Sequence, residues 1–396
     1  MVAPDDTGVR QLVSTVVPLG IAQIISWGSL YYSLAVLALP IRQEWGLSEV
    51  IIFGAFTAGL LVSGVAAPLV GRQIDREGGR LVMSVGSVLG AIALVAVALA
   101  DAPLQFVLAW MLAGVAMAAC LYDPAFASLY QMAPHHYRRA VTGLTLLGGF
   151  ASTVFWPLTN ALASAWGWRM TVLGFAALNL FICAPLHYMV LPGRPARTQH
   201  RVVRPAAAAK EYLADRRFFW LAAAFAAISL VFSALSSFMI LALGARGFSV
   251  AEAVWVAALI GPMQVLARIV EWSIAGRASA VAVGLAAVCM FLAGMLLLNV
   301  MPYSIVWGVL FAVCYGGANG ILTITRGTVP VELFGAQQQG ALLGSLARPS
   351  FVTKALAPVT FAAALNIGIS MDIGLALLAV VAACALGCFL AACRQK

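Results

Sequence analysis

The sequence predicts an all-α integral membrane protein, with twelve transmembrane helices in two pseudo-symmetric six-helix bundles. Three observations predict it: a composition too apolar for water, apolar runs of spanning length, and an internal repeat. Of 396 residues, 63% are hydrophobic and 9% charged, against roughly 25% charged in an ordinary soluble domain. A soluble fold of this length cannot hide so much apolar surface, so a lipid bilayer has to cover it. Backbone groups in lipid need internal partners, and long apolar runs supply them as helices rather than as alternating barrel strands.

Apolar runs between charged or Pro/Gly breaks place spans near 12–40, 49–70, 81–101, 104–132, 140–163 and 170–191. A second set falls near 218–243, 251–271, 280–300, 304–326, 339–365 and 372–393. The stretch 11–41 is too long for a signal-peptide core, and Asp5 and Asp6 replace the basic lead such a peptide carries, so it is expected to stay as the first span. The long interior break is rich in Arg, Pro and Ala. It divides the chain into a bundle over 1–191, a linker over 192–217 and a bundle over 218–396.

Charge sets the orientation. Eighteen of the 23 basic residues fall on the side of the N-terminus, including Arg72, Arg76, Arg80, Arg138, Arg139 and those of 194–217. Arg42, Arg169 and Arg246 fall opposite. This bias places both termini in the cytoplasm of a bacterial inner membrane. It also accounts for the net charge of +9, so no nucleic-acid partner is expected. The seven cysteines show no CxxC pair, and Cys120, Cys183 and Cys289 sit inside apolar runs as packing residues.

The two halves repeat at an offset of about 196 residues. Gly71-Arg72-Gln73-Ile74-Asp75 falls on Ala267-Arg268-Ile269-Val270-Glu271, aligning Arg with Arg and acid with acid. Pro134 falls on Pro330, Gly143 near Gly340, and Trp156-Pro157 near Ala357-Pro358. Duplicated bundles rocking about a midplane site are the architecture of alternating-access carriers.

Residues 71–80 read GRQIDREGGR. This resembles the loop signature of the major facilitator superfamily, with Gly71, Asp75, Arg76, Gly78 and Arg80 in place. The turn Trp166-Gly167-Trp168-Arg169 is similar to that superfamily as well. Glycines permit a tight turn and close helix approach, and Asp75 can meet a helix N-terminus or a neighbouring arginine. With Arg268 and Glu271 of the repeat, these residues form an expected conformational gate.

Shorter stretches, LYDPAFASL (121–129), GPMQVLAR (261–268) and RGTVPVELFG (326–335), resemble a bacterial subgroup of copper importers and riboflavin importers. The copper branch carries paired soft ligands at i, i+4. Here Leu235 precedes Met239 and Leu259 precedes Met263, so each pair keeps one ligand and no metal is expected. The resemblance therefore implies import of riboflavin or a similar heterocyclic nutrient, with a copper importer as the alternative. The fifth span lacks the glycine-proline pattern of drug–proton antiporters, which favours uptake. A non-transporting sensor on the same fold is the reading from another class.

Residues expected to line a substrate cavity follow from polar and aromatic side chains inside spans. Gln23, Trp27 and Tyr31 recur at i, i+4, i+8. Tyr122, Asp123 and Phe126 accompany them in the fourth span, Phe150 and Trp156 in the fifth. Ser236, Met239, Met263, Gln264, Tyr315 and Asn319 belong to the second half, with Arg348 deep in the eleventh span. Asp123 either exchanges a coupling proton or serves as a structural acid. Arg348 holds an anionic or carbonyl-rich group or pairs with Asp123. Aromatic planes with short polar groups suit a neutral or zwitterionic organic solute. No GxxxxGK[ST], HExxH or GxSxG is found, so neither an enzyme nor a cofactor is expected, and the carrier is expected to act as a monomer.

Overall fold

The computed structural model describes residues 6–46, 49–193, 215–275, 277–300, 302–335 and 339–394. These residues are helical nearly throughout, and the expected linker lies largely outside them. The chain divides into two compact units. One comprises Met1–Pro205 with Gln338–Arg348, the other Ala206–Gln337 with Pro349–Lys396. Among the described residues, ten helices are long and apolar enough to cross a membrane, one of which, Pro134–Val190, covers two expected spans.

In the first unit α1 (Asp6–Trp27) continues through a π-helical turn, Gly28–Tyr32, into α2 (Ser33–Trp45). Then follow α3 (Glu49–Glu77), α4 (Gly79–Ala98), α5 (Pro103–Cys120) and α6 (Tyr122–Met132). A 3-10 turn leads to α7 (Tyr137–Gly148) and α8 (Ala151–Leu178), and a second π turn, Asn179–Cys183, leads to α9 (Ala184–Val190). Gly167 interrupts α8 with a φ of 77°, which separates the fifth and sixth expected spans.

The expected loop over 71–80 is a correction. Gly71, Asp75 and Arg76 stand on the last two turns of α3, and the break before α4 is the single residue Gly78, at φ 78°. The reason is length: 29 helical residues reach about 43 Å at 1.5 Å each. That exceeds a hydrocarbon core of about 30 Å, so the charged end of α3 stays helical beyond it. Gly78 adopts a left-handed φ and abuts the Gly193 carbonyl, which leaves no room for a Cβ.

Proline-freed carbonyls explain several internal hydrogen bonds. Pro124 has no N–H for the Cys120 carbonyl four residues earlier, and the helix breaks at Leu121. Gln23 Nε2, fully buried on α1, donates to Cys120 O at 2.8 Å and to Leu121 O at 3.4 Å. The two π turns are joined by a side-chain hydrogen bond, Asn179 Nδ2 donating to Ser29 Oγ at 2.8 Å.

One end of the first unit is closed by Arg169. Its guanidinium donates to Ala98 O at 2.5 Å and Ala100 O at 3.0 Å, pairs with Glu44 at 2.9 Å, and lies over the Trp168 ring at 4.5 Å. Trp168 Nε1 donates to the other Glu44 oxygen at 2.5 Å. The turn Trp166–Arg169 is thereby tied to the ends of α2 and α4.

The second unit holds α10 (Arg216–Gly244), α11 (Val250–Ile274), α12 (Ala280–Val300) and α13 (Ile305–Phe334). It also holds α14 (Gln339–Asn366) from Pro349 onward and α15 (Met371–Arg394). Within it α12 packs on α13 and α15, and α10 packs on α15. Pro358 frees the Lys354 carbonyl, and Ser233 Oγ of α10 donates to it at 2.7 Å. A capping box, Ser249 with Glu252, starts α11. Cys120 and Cys183 are buried as expected, whereas Cys289 is exposed on α12.

The Glu44 carboxyl yields a pH prediction. Partial burial opposes its charge, but hydrogen bonds from Trp168 and Arg169 outweigh that and hold it below the ordinary glutamate value of 4.5. A depressed folded-state value means the contribution is present above about 4.5 and lost as pH falls below it. Thermal unfolding should therefore show Glu44→Gln less stable than the parent at pH 7, with the difference closing below pH 4.5. A difference constant with pH contradicts this.

Candidate functional site

The gate residues are built around Asp75. From the end of α3 its Oδ1 accepts the Gly340 N–H at 2.9 Å and its Oδ2 accepts the Ala341 N–H at 2.8 Å. Because α14 begins at Gln339, these are first-turn amides with no partner inside their own helix. A carboxylate there meets both the open donors and the positive end of the helix dipole. One turn earlier on α3, Gly71 faces Gly340 so closely that a Cβ on either would overlap the other's carbonyl. Gly71, Asp123, Gly340 and Gly344 line one small hollow, which brings Asp123 near the clasp.

Other members of the motif hold different positions. Arg76 is exposed on the last turn of α3. Arg80, on α4, donates from Nε to Leu191 O at 3.0 Å and from its backbone N–H to Pro192 O at 3.1 Å, while its guanidinium lies over Tyr188 at 5.6 Å. It fastens α4 to the end of α9. In the second unit Arg268 and Glu271 are buried on α11, and Arg268 Nε donates to Gly320 O at 3.3 Å.

An aromatic group gathers around the first π turn. Trp27 lies 5.1 Å from Tyr31, 6.1 Å from Tyr32 and 5.0 Å from Tyr122, measured between ring centroids. Tyr122 stacks on Phe126 at 5.4 Å with an interplanar angle of 6°, and Tyr31 meets Phe56 at 5.2 Å. Phe126 is buried, whereas Trp27, Tyr31 and Tyr122 are half-buried. A π turn inserts an extra residue and turns successive side chains outward at a different angle, a device frequent at functional sites. Tyr32 shares the polar-aromatic window of the first span, whereas Phe56 of α3 was missed because no local pattern points it at Tyr31.

Gln23 belongs to the backbone of α5 and α6 rather than to the aromatic group. Phe150 stands exposed between α7 and α8, and the Trp156 side chain lies outside the described residues. In the second unit Tyr315 is buried among Phe232, Phe291 and Phe311 at 6.1, 5.6 and 5.4 Å. Met239 is buried, Met263, Gln264 and Asn319 are half-buried, and Ser236 is exposed. Arg348 is exposed on α14.

The clasp predicts a local effect. Asp75→Ala removes two charge-assisted bonds, each about 1.5–3 kcal/mol, so hydrogen exchange at the Gly340 and Ala341 amides should accelerate by about tenfold or more. Unchanged exchange at those two amides contradicts the geometry.

Residues 19–348 match the family model described as Major Facilitator Superfamily. An MFS-type transporter, pytF, of Aspergillus terreus (strain NIH 2624 / FGSC A1156) is 30% identical over 178 residues, 44% of this chain. The match spans 57% of that protein's length. The crystal structure of the human organic anion transporter MFSD10 shares the fold at 16% identity. Its TM-score is 0.74, over 96% of this chain and 99% of that one. FucP, the E. coli fucose:proton symporter, does so at 11% identity with a TM-score of 0.76, over 98% and 100% of the two chains. This chain belongs to the Major Facilitator Superfamily.

Proposed function

We propose that the chain is a secondary carrier that imports a small organic solute across a bacterial inner membrane by alternating access. The observation that carries this reading is the Asp75 clasp. A carboxylate seated on the first-turn amides of α14 holds one arrangement of two helices, and its release frees them, which is the two-state element a carrier cycle needs. Family membership supports the same reading. Both termini are assigned to the cytoplasm on the charge bias of the sequence.

The half-buried rings Trp27, Tyr31 and Tyr122 support a flat heterocycle as the solute, with riboflavin the leading candidate by resemblance. Aromatic faces offer stacking area to such a ring at low conformational cost. Asp123, beside the clasp, is the group assigned to a coupling proton, because a carboxyl at that position can change charge as the clasp opens.

Counterflow of labelled riboflavin in proteoliposomes tests the assignment. The carrier reading predicts exchange, and Asp123→Asn should flatten the pH dependence of that exchange. Binding without exchange assigns a sensor instead. Exchange of another heterocycle with no binding of riboflavin removes the vitamin and leaves the carrier.

A further inference from the structure

We infer that Arg348, on the part of α14 that belongs to the first unit, reads the solute by its acceptor edge, a ring carbonyl beside a second acceptor atom on a neutral flat ring. The inference rests on the carrier reading above and narrows the heterocycle it takes to one bearing ring carbonyls.

Position is the first argument. Arg348 stands nine residues from the start of α14, about 14 Å along it at 1.5 Å per residue. On that helix Gly340 abuts the Gly71 carbonyl of α3, and one turn later Gly344 abuts the Ala67 carbonyl. Arg348 is the next step of the same i, i+4 row, so it continues the face that meets α3. Its side chain leans back toward the helix start. There the two backbones touch at both glycines and bar a guanidinium from running along them to the membrane surface. Yet Arg348 is exposed, while Leu346 and Ala347 just before it are buried. The two helices have therefore parted at this level, and the arginine stands in the opening.

The second argument is charge. Arg348 makes no hydrogen bond or ion pair among the described residues. A guanidinium stays charged at any physiological pH. A permanent charge this far along a spanning helix is kept for a ligand or a transport path rather than for solubility.

The third argument is the neighbourhood. Asp123 of α6 and Gly344, one turn before Arg348, line the same hollow. Tyr122 adjoins Asp123 in sequence, and its ring is 5.0 Å from that of Trp27. Rings and guanidinium thus border one stretch of the first unit. The guanidinium offers five N–H donors in a planar fork, which fits two coplanar acceptors side by side. A ring carbonyl next to a ring nitrogen presents such a pair without bringing a charge of its own.

Two neutral tricycles test this by calorimetry on the full-length protein in nanodiscs, with empty nanodiscs as the blank. Lumichrome carries ring carbonyls beside ring nitrogens, and phenazine is a flat tricycle without carbonyls. Lumichrome should bind about tenfold more tightly than phenazine or better. Arg348→Met should remove that preference and leave the affinity for phenazine within about twofold of the parent's. Arg348→Lys keeps the charge without the fork and should recover only part of it. Equal binding of the two probes to the parent, a preference that survives in Arg348→Met, or an equal loss of both probes there overturns the role of Arg348 and leaves the aromatic carrier standing. Full recovery in Arg348→Lys overturns the paired edge in favour of a point charge. Binding of neither probe overturns the aromatic solute together with its edge.

Discussion

A proline inside a bilayer frees a carbonyl that water cannot reach, and some side chain must then satisfy it. That constraint organises the polar residues of this chain. Pro124 frees Cys120 O, which takes the Gln23 amide, and Pro358 frees Lys354 O, which takes the Ser233 hydroxyl. Pro124 directly follows Asp123, and Pro358 stands one turn after Lys354. At Pro124 the helix breaks at Leu121, and the Gln23 amide that takes the freed carbonyl fixes the depth at which Asp123 follows.

The Asp75 clasp applies the same rule at a helix end. The first amides of α14 have no partner of their own, and a carboxylate satisfies two of them at once while meeting the helix dipole. Such an interaction is strong when seated and entirely absent when withdrawn, since the glycine pair Gly71 and Gly340 offers no alternative polar group. A contact of that kind suits a switch better than graded packing does.

Spans were legible in the sequence because length and hydropathy alone define them. Even α14 could be read, although Arg348, Lys354 and two prolines lower its hydropathy and it falls outside the ten apolar helices. The acid of the signature motif was legible too, with a helix N-terminus among its expected partners. Less legible was whatever depends on register. Charges and glycines made 71–80 look like a loop, whereas a helix leaving the bilayer gains by carrying charge on its last turn. The π turn at Gly28–Tyr32 brings both Tyr31 and Tyr32 to Trp27, and Phe56 of α3 meets Tyr31. No local pattern announces a π turn. The Arg169 clamp was seen only as a familiar tetrapeptide, since its partners Glu44 and Ala98 are far away in sequence.

The division between polar groups that mend the backbone and polar groups that meet a solute is most directly tested at Gln23. Replacing it with leucine leaves Cys120 O buried without its donor, which costs about 1–3 kcal/mol. The melting temperature of purified Gln23→Leu should fall while its affinity for any transported solute stays within twofold of the parent's. An unchanged melting temperature together with lost solute binding would place Gln23 in the binding site and contradict the account.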